Sequence, residues 1–312
     1  MSTSAHLPRL VIAGAGGLIG RHLLRLAEGR YDRIVLTHSD TKLPGVTSVR
    51  WDPRAAAKGD ERGLASVSEA LEGAAGLINL AGSSISAGRL GARHVATLRA
   101  SRVAAGATLS EALLRCATPP AAWFQASGTN AYADGGEHEL DESAPIDVHA
   151  PLGEVGIVWE ASADPVQHRT RVVIGRMAMV LAPEAEAWRR LLLPIRLGVG
   201  GPLGSGRQWW PWIHVDDVVR AILWLVERDD AVGVYNVVAE PVRQIELTRA
   251  AARRLRRPAL VPVPPFALRI VLGGLADALL LASLRVVPDR LLEEGFEFEL
   301  LDVDRAVARL LA

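Results

Sequence analysis

The stretch Arg9–Gly20, RLVIAGAGGLIG, decides the fold. A short apolar run, Leu10-Val11-Ile12-Ala13, meets glycines at Gly14, Gly17 and Gly20, and the amphipathic run Arg21–Ala27 follows at once. This spacing predicts a strand, a tight turn and a helix start. Gly14 lets the chain turn sharply, Gly17 lets the backbone come close to a pyrophosphate, and Gly20 lets the helix pack against the strand. Free N–H groups at the helix start, and its dipole, favour a bound anion. A βα turn without a ligand is the plain alternative, but three glycines at this spacing are conformationally costly unless something approaches them.

Outward from this turn, apolar strands alternate with helices. Arg33–Thr37 reads as a second strand, Thr47–Trp51 as a short third, Gly76–Leu80 as a fourth, Ala121–Ala126 as a fifth and Arg171–Gly175 as a sixth. Helical patterns fall at Val67–Leu71, from about Ala92 to Cys116, and around Leu152–Ala163 before Pro165. Such alternation implies a parallel sheet covered on both faces, and right-handed crossovers make it doubly wound, an α/β fold of Rossmann type. After about Leu181 the character changes. Leu197–Pro211 is thick with glycine and proline and reads as an ordered loop region. Val215, Val218, Val219, Ile222, Leu223 and Val226 recur at helical spacing, with Asp216 and Asp217 as candidate caps. Val234–Val238 is a further strand, and from Pro241 the pattern is helical and broken by proline.

The 312 residues suffice for one large or two modest domains, and at 49% apolar they can fill a sizeable core. Lys+Arg and Asp+Glu number 35 each, so no net field points to nucleic acid or to an anionic membrane. A single cysteine, Cys116, excludes an internal disulfide and fits a reducing, cytoplasmic location. The first residues, MSTSAHLPR, lack the apolar core of a signal peptide. Ile270–Val287 looks membrane-like, but Asp277 and Gly273-Gly274 interrupt it and Arg269 and Arg285 flank it; a buried or lid-forming helix pair is expected. Arg253, Arg254, Arg256 and Arg257 read as a solvated helix end. No His/Cys cluster suggests a metal site, and the glycines lack the Lys-Ser/Thr ending of a P-loop.

The order of these pieces resembles the extended short-chain dehydrogenase/reductases, and more closely an atypical branch of epimerase family proteins (NAD-dependent epimerase/dehydratase-like) with a C-terminal domain of unknown function. The matching segments are GAGGLIG (Gly14–Gly20), WDP (Trp51–Pro53), INLAG (Ile78–Gly82), SRV (Ser101–Val103), WE (Trp159-Glu160), LGVGGPLGSGRQWWPWIHVDD (Leu197–Asp217) and a tail carrying RPA, VPVPPFALR and LLEEGFEF. The resemblance implies an NADP-binding domain over 1–180 completed by 213–239, with 181–212 and 240–312 forming a smaller, interleaved substrate or lid lobe. It also implies an oxidoreductase or epimerase-like activity on a small carbonyl or nucleotide-linked substrate, by a monomer or homodimer.

In that frame Gly14, Ala15, Gly17, Leu18, Ile19 and Gly20 surround the pyrophosphate, and Asn79, Leu80, Ala81 and Gly82 pass beside the ribose. Asn79 reads equally well as a turn former that bonds its own backbone. A carboxylate at the end of the second strand would select NAD; Thr37-His38-Ser39 stands there instead and favours NADP, while Asp40 keeps NAD possible. At the end of the fifth strand, Ser127 matches the hydroxyl that touches a substrate oxygen, Thr129 is a second hydroxyl, and Tyr132 is either a proton donor or a core tyrosine. The branch departs from the wider family in one respect. The Tyr-x-x-x-Lys pair, whose lysine lowers the tyrosine pKa, is replaced here by Leu152 and Gly156. Arg207, Trp210 and Trp212 are candidate walls of a substrate pocket, or packing between lobes, and His214 reads as structural. The absent Tyr/Lys pair leaves a second function open, a non-catalytic NADP(H)-binding sensor.

Overall fold

Seven runs rich in apolar and β-branched residues form the strands of one parallel sheet: β1 (Arg9–Ala13), β2 (Asp32–Thr37), β3 (Thr47–Arg50), β4 (Gly76–Asn79), β5 (Ala122–Gly128), β6 (Arg171–Met177) and β7 (Gly233–Val237). The computed structural model describes residues 7–38 and 43–312. The strands lie in the order β3-β2-β1-β4-β5-β6-β7, every neighbouring pair parallel. β7 arrives late in the chain and pairs with β6 from Gly233 opposite Val173 to Val237 opposite Met177. Sequence order runs outward in both directions from β1, so the crevice between the carboxyl ends of β1 and β4 is the topological switch point of the sheet. This is the doubly wound α/β architecture that the alternation predicts.

Among the described residues nine helices are eight residues or longer: α1 (Leu18–Leu26), α2 (Glu61–Leu71), α3 (Ala92–Leu114), α4 (Pro151–Glu160), α5 (Glu186–Arg196), α6 (Val215–Glu227), α7 (Gln244–Leu255), α8 (Pro265–Leu272) and α9 (Val303–Leu310). Leu23 and Leu24 of α1 and the Val218–Val226 face of α6 pack on one side of the sheet against Leu10, Ile12 and Phe124. Leu64 and Leu71 of α2 and Leu109 and Leu113 of α3 cover the other side, against Val11, Leu77 and Trp123. Alternate strand residues point to opposite faces, so each strand feeds both cores, and full burial of one such side chain stabilises by roughly 1.5–3 kcal/mol.

A third core joins α5, α7 and α9 around Trp188, Trp210 and Trp212. Asp217, fully buried on α6, ties this region to the sheet: its carboxylate accepts the N–H groups of Glu299 (2.9 Å) and Leu300 (2.8 Å) and pairs with Arg220 at 2.7 Å. The cap of α6 is not one of the aspartates. His214 takes that place, its Nδ1 accepting the Asp216 N–H at 3.1 Å, and burial pushes its pKa down. Over 270–287 there is one helix, α8, followed by a π-helical turn at Ala276–Leu281 rather than a pair of ordinary helices. Its outward residues Ile270 and Val271 are exposed, and the segment meets the chain before α3: Leu90 bridges to Gly273, and Arg89 donates to the Ile270 carbonyl at 3.0 Å. Arg253, Arg254, Arg256 and Arg257 are all exposed, as their spacing suggests, Arg253 paired with Asp304. No helix among the described residues is long and apolar enough to cross a membrane, and no group of three metal-ligating side chains occurs among them.

Candidate functional site

The crevice at the switch point is a groove of about 910 Å³. Gly14, Ala15 and Gly17 from the first turn, Thr37 and His38 from the end of β2, and Leu80, Ala81 and Gly82 after β4 line it. The three motif glycines serve different ends. Gly14 has φ +85°, and a Cβ there would lie 2.6 Å from the Leu80 carbonyl carbon. A Cβ at Gly20 would lie 2.5 Å from the Ala15 Cα, so this glycine seats α1 on its own turn. A Cβ at Gly17 would meet only the Gly14 oxygen, at 3.4 Å; the space beyond belongs to the groove. No side chain caps α1, which leaves its leading N–H groups for an anion.

Leu18, Ile19 and Gly20 sit behind this wall, Leu18 and Ile19 packed toward two of the cores. Asn79 is fully buried, donating to Gln125 Oε1 at 2.9 Å and accepting from the Ala81 N–H at 3.1 Å, so its side chain shapes the turn rather than facing the groove. Ser39 and Asp40 lie outside the described residues. The groove gathers cations that the sequence reading missed. Arg21 donates to the Gly16 carbonyl at 2.7 Å, and Arg54 and Lys58 line the rim near Asp52. Lys58, and behind it the Arg54 N–H, hold the Asp52 carboxyl below its usual range. His38 also borders an adjoining cavity of about 430 Å³ shared with Arg62. A glycine turn, an uncapped helix and a cationic rim around this volume fit a dinucleotide diphosphate.

The end of β5 is built differently. Ser127 donates to Glu160 Oε1 at 2.6 Å, and Arg176 grips the same carboxylate with Nε and Nη2, both at 2.9 Å. Arg176 Nη1 donates to the Tyr132 hydroxyl at 2.9 Å, and that hydroxyl donates to Asn236 Oδ1 at 2.8 Å. Burial raises the Tyr132 pKa, against the pull of Arg176. Of the two readings of Tyr132, this network favours the core tyrosine, its hydroxyl donating inside the protein and its ring buried; Ser127 is as buried (2% exposed), and Ser127, Thr129 and Tyr132 all stand outside the lining of the 910 Å³ groove. Thr129 is buried with its hydroxyl unpartnered. Gly156 lies where a Cβ would come within 2.7 Å of the Ala131 Cβ and 4.0 Å of Ser127 Oγ, so a longer side chain does not fit there in this packing. Leu152 joins Leu98 and Val155 in an apolar cluster with Leu90, Ala278 and Leu279 packed against it.

Trp210 and Trp212 take the packing role of their two readings and stand outside the groove lining. Both are buried in the third core, and their indole N–H groups are satisfied by the carbonyls of Leu280 (3.1 Å) and Glu240 (2.8 Å). Arg207 is exposed and lies away from the groove lining. Sequence reasoning also missed the Glu160–Arg176 pair and the buried Arg102, although the WE and SRV segments that carry Glu160 and Arg102 were in view.

A parallel sheet with this switch point, glycine turn and groove defines a dinucleotide-binding fold of the short-chain dehydrogenase/reductase type. A family profile described as NAD dependent epimerase/dehydratase matches residues 10–238, and a second, a domain of unknown function (DUF1731), matches residues 263–310. The chain belongs to the NAD dependent epimerase/dehydratase family. It is 30% identical to bovine epimerase family protein SDR39U1 over 97% of this chain and 100% of that one. It is 32% identical to an epimerase family protein of Staphylococcus epidermidis over 94% of this chain and 95% of that one. Among solved structures, human epimerase family protein SDR39U1 (isoform 2) with NADPH superposes with a TM-score of 0.84 at 28% identity, covering 97% of this chain and 99% of that one.

Proposed function

We propose that this chain is an NADP(H)-binding oxidoreductase or epimerase-like enzyme that acts on a small carbonyl or nucleotide-linked substrate without the usual Tyr-x-x-x-Lys pair. The observation that carries this reading is the groove itself, with Gly17 open toward it and Arg21, Arg54 and Lys58 on its wall. The NADPH bound by human SDR39U1 supports it. The described end of β2 offers Thr37 and His38 rather than a carboxylate, which favours a 2′-phosphate over a free ribose hydroxyl. Segments 1–180 and 213–239 serve as the cofactor domain, and 181–212 with 240–312 as the substrate lobe. We place the protein in the cytoplasm, as a monomer or homodimer.

A nicotinamide cofactor supplies or accepts the hydride when bound. Ser127 donates its hydrogen bond to Glu160, which aims its lone pairs toward a substrate hydroxyl. As the substrate is oxidised, its hydroxyl proton passes to Ser127 Oγ while the Ser127 proton passes to Glu160 Oε1; reduction runs the same relay backwards. Arg176 holds both carboxylate oxygens, sharing Oε1 with Ser127, and Thr129 offers a second hydroxyl to the substrate. The replacement of the Tyr/Lys pair by Leu152, in its apolar cluster, and Gly156 favours the second reading, a non-catalytic NADP(H) sensor.

Titration with NADPH and NADH, and a screen of carbonyl compounds for NADPH oxidation, test both readings. The expected result is tighter binding of NADPH than of NADH, with turnover lost in Ser127→Ala while NADPH affinity stays. Equal affinities remove the NADP assignment. Full turnover in Ser127→Ala removes the relay. Tight NADPH binding with no turnover on any carbonyl selects the sensor.

A further inference from the structure

Arg102 is a cation without an anion. It sits mid-way along α3, and only 5% of it is exposed. Its Nη1 donates to the carbonyls of Ser83 (3.1 Å) and Leu98 (3.2 Å), and its guanidinium stacks 4.3 Å from the centre of the Trp159 ring. Those partners are neutral. Its Nε is buried with no acceptor, and no carboxylate lies within ion-pair distance among the described residues. Burial pulls its pKa down to about 10. Elsewhere in the interior, Arg176 has Glu160. A buried guanidinium without a charged partner is unfavourable, and an anion brought by a ligand would relieve that cost.

The place of Arg102 identifies that partner. A Cβ on Gly82 would lie 3.1 Å from its guanidinium carbon, and Gly82, Ser83 and Ser101 all line the 910 Å³ groove. Ser101 accepts the Ser83 N–H at 3.0 Å, so two consecutive residues of α3 pin the same short piece of groove wall. Pinning alone does not require charge, since Ser101 does it with a hydroxyl. Strand order gives the side: β2, whose end takes the adenosine ribose in dinucleotide-binding folds, flanks β1 on one edge, and β4, which leads into Gly82-Ser83, flanks it on the other.

We propose that Arg102, which lies directly behind the Gly82-Ser83 wall and not in the groove lining itself, is the resident counter-cation of this groove, neutralising the nicotinamide-side phosphate of the dinucleotide through that wall. The proposal rests on the groove holding NADP(H), as read above. It explains why the position carries a cation that the folded chain leaves unneutralised, and it assigns the SRV segment a role in ligand binding.

The test compares NADPH with adenosine 2′,5′-bisphosphate, which keeps the adenosine half and lacks the nicotinamide half. In Arg102→Met, NADPH affinity should fall by about tenfold, as expected when a partly buried, weakly screened counter-charge close to the ligand is lost. Bisphosphate affinity should stay within about twofold of wild type, since like-sized changes away from a ligand leave binding nearly unaltered. Arg102→Lys should recover most of the NADPH affinity, and its dependence on salt should again be the steeper one. NADPH binding by Arg102→Met at wild-type strength overturns the proposal, as does an equal loss for both ligands, which would mark Arg102 as a pin for the loop. A second measurement does not depend on the variant folding. In wild-type protein with labelled arginine, the Arg102 Nε–H resonance should move on adding NADPH and stay in place with the bisphosphate; no movement with NADPH overturns the proposal. Failure of the wild-type chain to bind any dinucleotide overturns both this proposal and the reading beneath it, and the wild-type titration reports that separately.

Discussion

Two regions at the carboxyl ends of the strands, the groove and the end of β5, handle charge in opposite ways. Toward β2 and β3, Asp52, Arg54 and Lys58 stand in solvent, and the Lys58–Asp52 pair is half-exposed at both ends. Toward β5, the Glu160–Arg176 pair is enclosed, with 11% and 7% of the two side chains exposed, and hydrogen bonds extend it through Tyr132 to Asn236. Exposed pairs contribute about 0–1 kcal/mol each, whereas removing one partner of a buried pair costs about 3–5 kcal/mol. The first region can therefore change residues to retune a ligand at little cost in stability. The second fixes the geometry of Ser127 and resists change. Loss of the Tyr/Lys pair fits this division, because Gly156 lies within the tightly packed region.

The largest effect should come from the groove wall. Gly17→Leu should abolish dinucleotide binding while the protein stays folded, because its Cβ meets only the Gly14 oxygen and the added bulk enters the ligand's path. Gly14→Ala should do the reverse, lowering stability first, since φ +85° and the Leu80 carbonyl both oppose a side chain. Calorimetric titration and thermal melting of the two variants separate these outcomes. Undiminished NADPH binding by Gly17→Leu would mean that the diphosphate lies elsewhere.

One substitution made in each region sharpens the contrast. Arg176→Met strands Glu160 in the interior and should cost about 3–5 kcal/mol, with a clear fall in melting temperature. Arg54→Met should leave stability within about 0.5 kcal/mol and narrow the preference for NADPH over NADH. Tyr132→Phe falls between them: Arg176 and Asn236 each lose a partner, for about 1–3 kcal/mol. Its turnover, corrected for folded fraction, should match wild type. A turnover loss beyond that fraction would return Tyr132 to the chemistry.

The β2 side was largely legible in the sequence. Gly14, Gly17 and Gly20 act through local backbone conformation and spacing, and the strands through their own apolar runs, so a short window carries the signal. Even there Arg54 and Lys58 escaped notice, because a rim cation looks the same in sequence as any solvated one. The β5 side was not legible. Its network takes Ser127, Tyr132, Glu160, Arg176 and Asn236 from four separate stretches, and only the parallel register of β5, β6 and β7 brings them together. The tryptophans misled for a related reason. A buried indole needs a single acceptor, and Trp210 and Trp212 find theirs on the carbonyls of Leu280 and Glu240, which no local pattern announces.

The smallest effect probes the exposed kind of charge where it joins distant stretches. Glu137 accepts from Arg243 Nη1 at 2.9 Å and from the Trp209 indole at 3.1 Å, while the Arg243 guanidinium lies 3.9 Å from the centre of that ring and Arg285 lies 4.8 Å from it. Hydrogen bonds from Arg243 first, and from Trp209 second, lower the Glu137 pKa to about 2. A folded-state carboxyl pKa below its ordinary value contributes stability that is complete above the unfolded value, and this contribution fades as pH falls toward 2. The carboxylate is open to solvent, so screening keeps the effect local. Acidification below the ordinary carboxylate range should therefore speed amide exchange in the turn at Gly135–His138, where Gly135 donates to the Ser283 carbonyl at 3.0 Å, before the sheet responds. Glu137→Gln should make exchange in that turn insensitive to the same change. A Glu137 carboxyl that titrates in the ordinary range by NMR would show that the arginine–tryptophan stack holds without it, and that exposed charges in this molecule carry no structural weight even in a network.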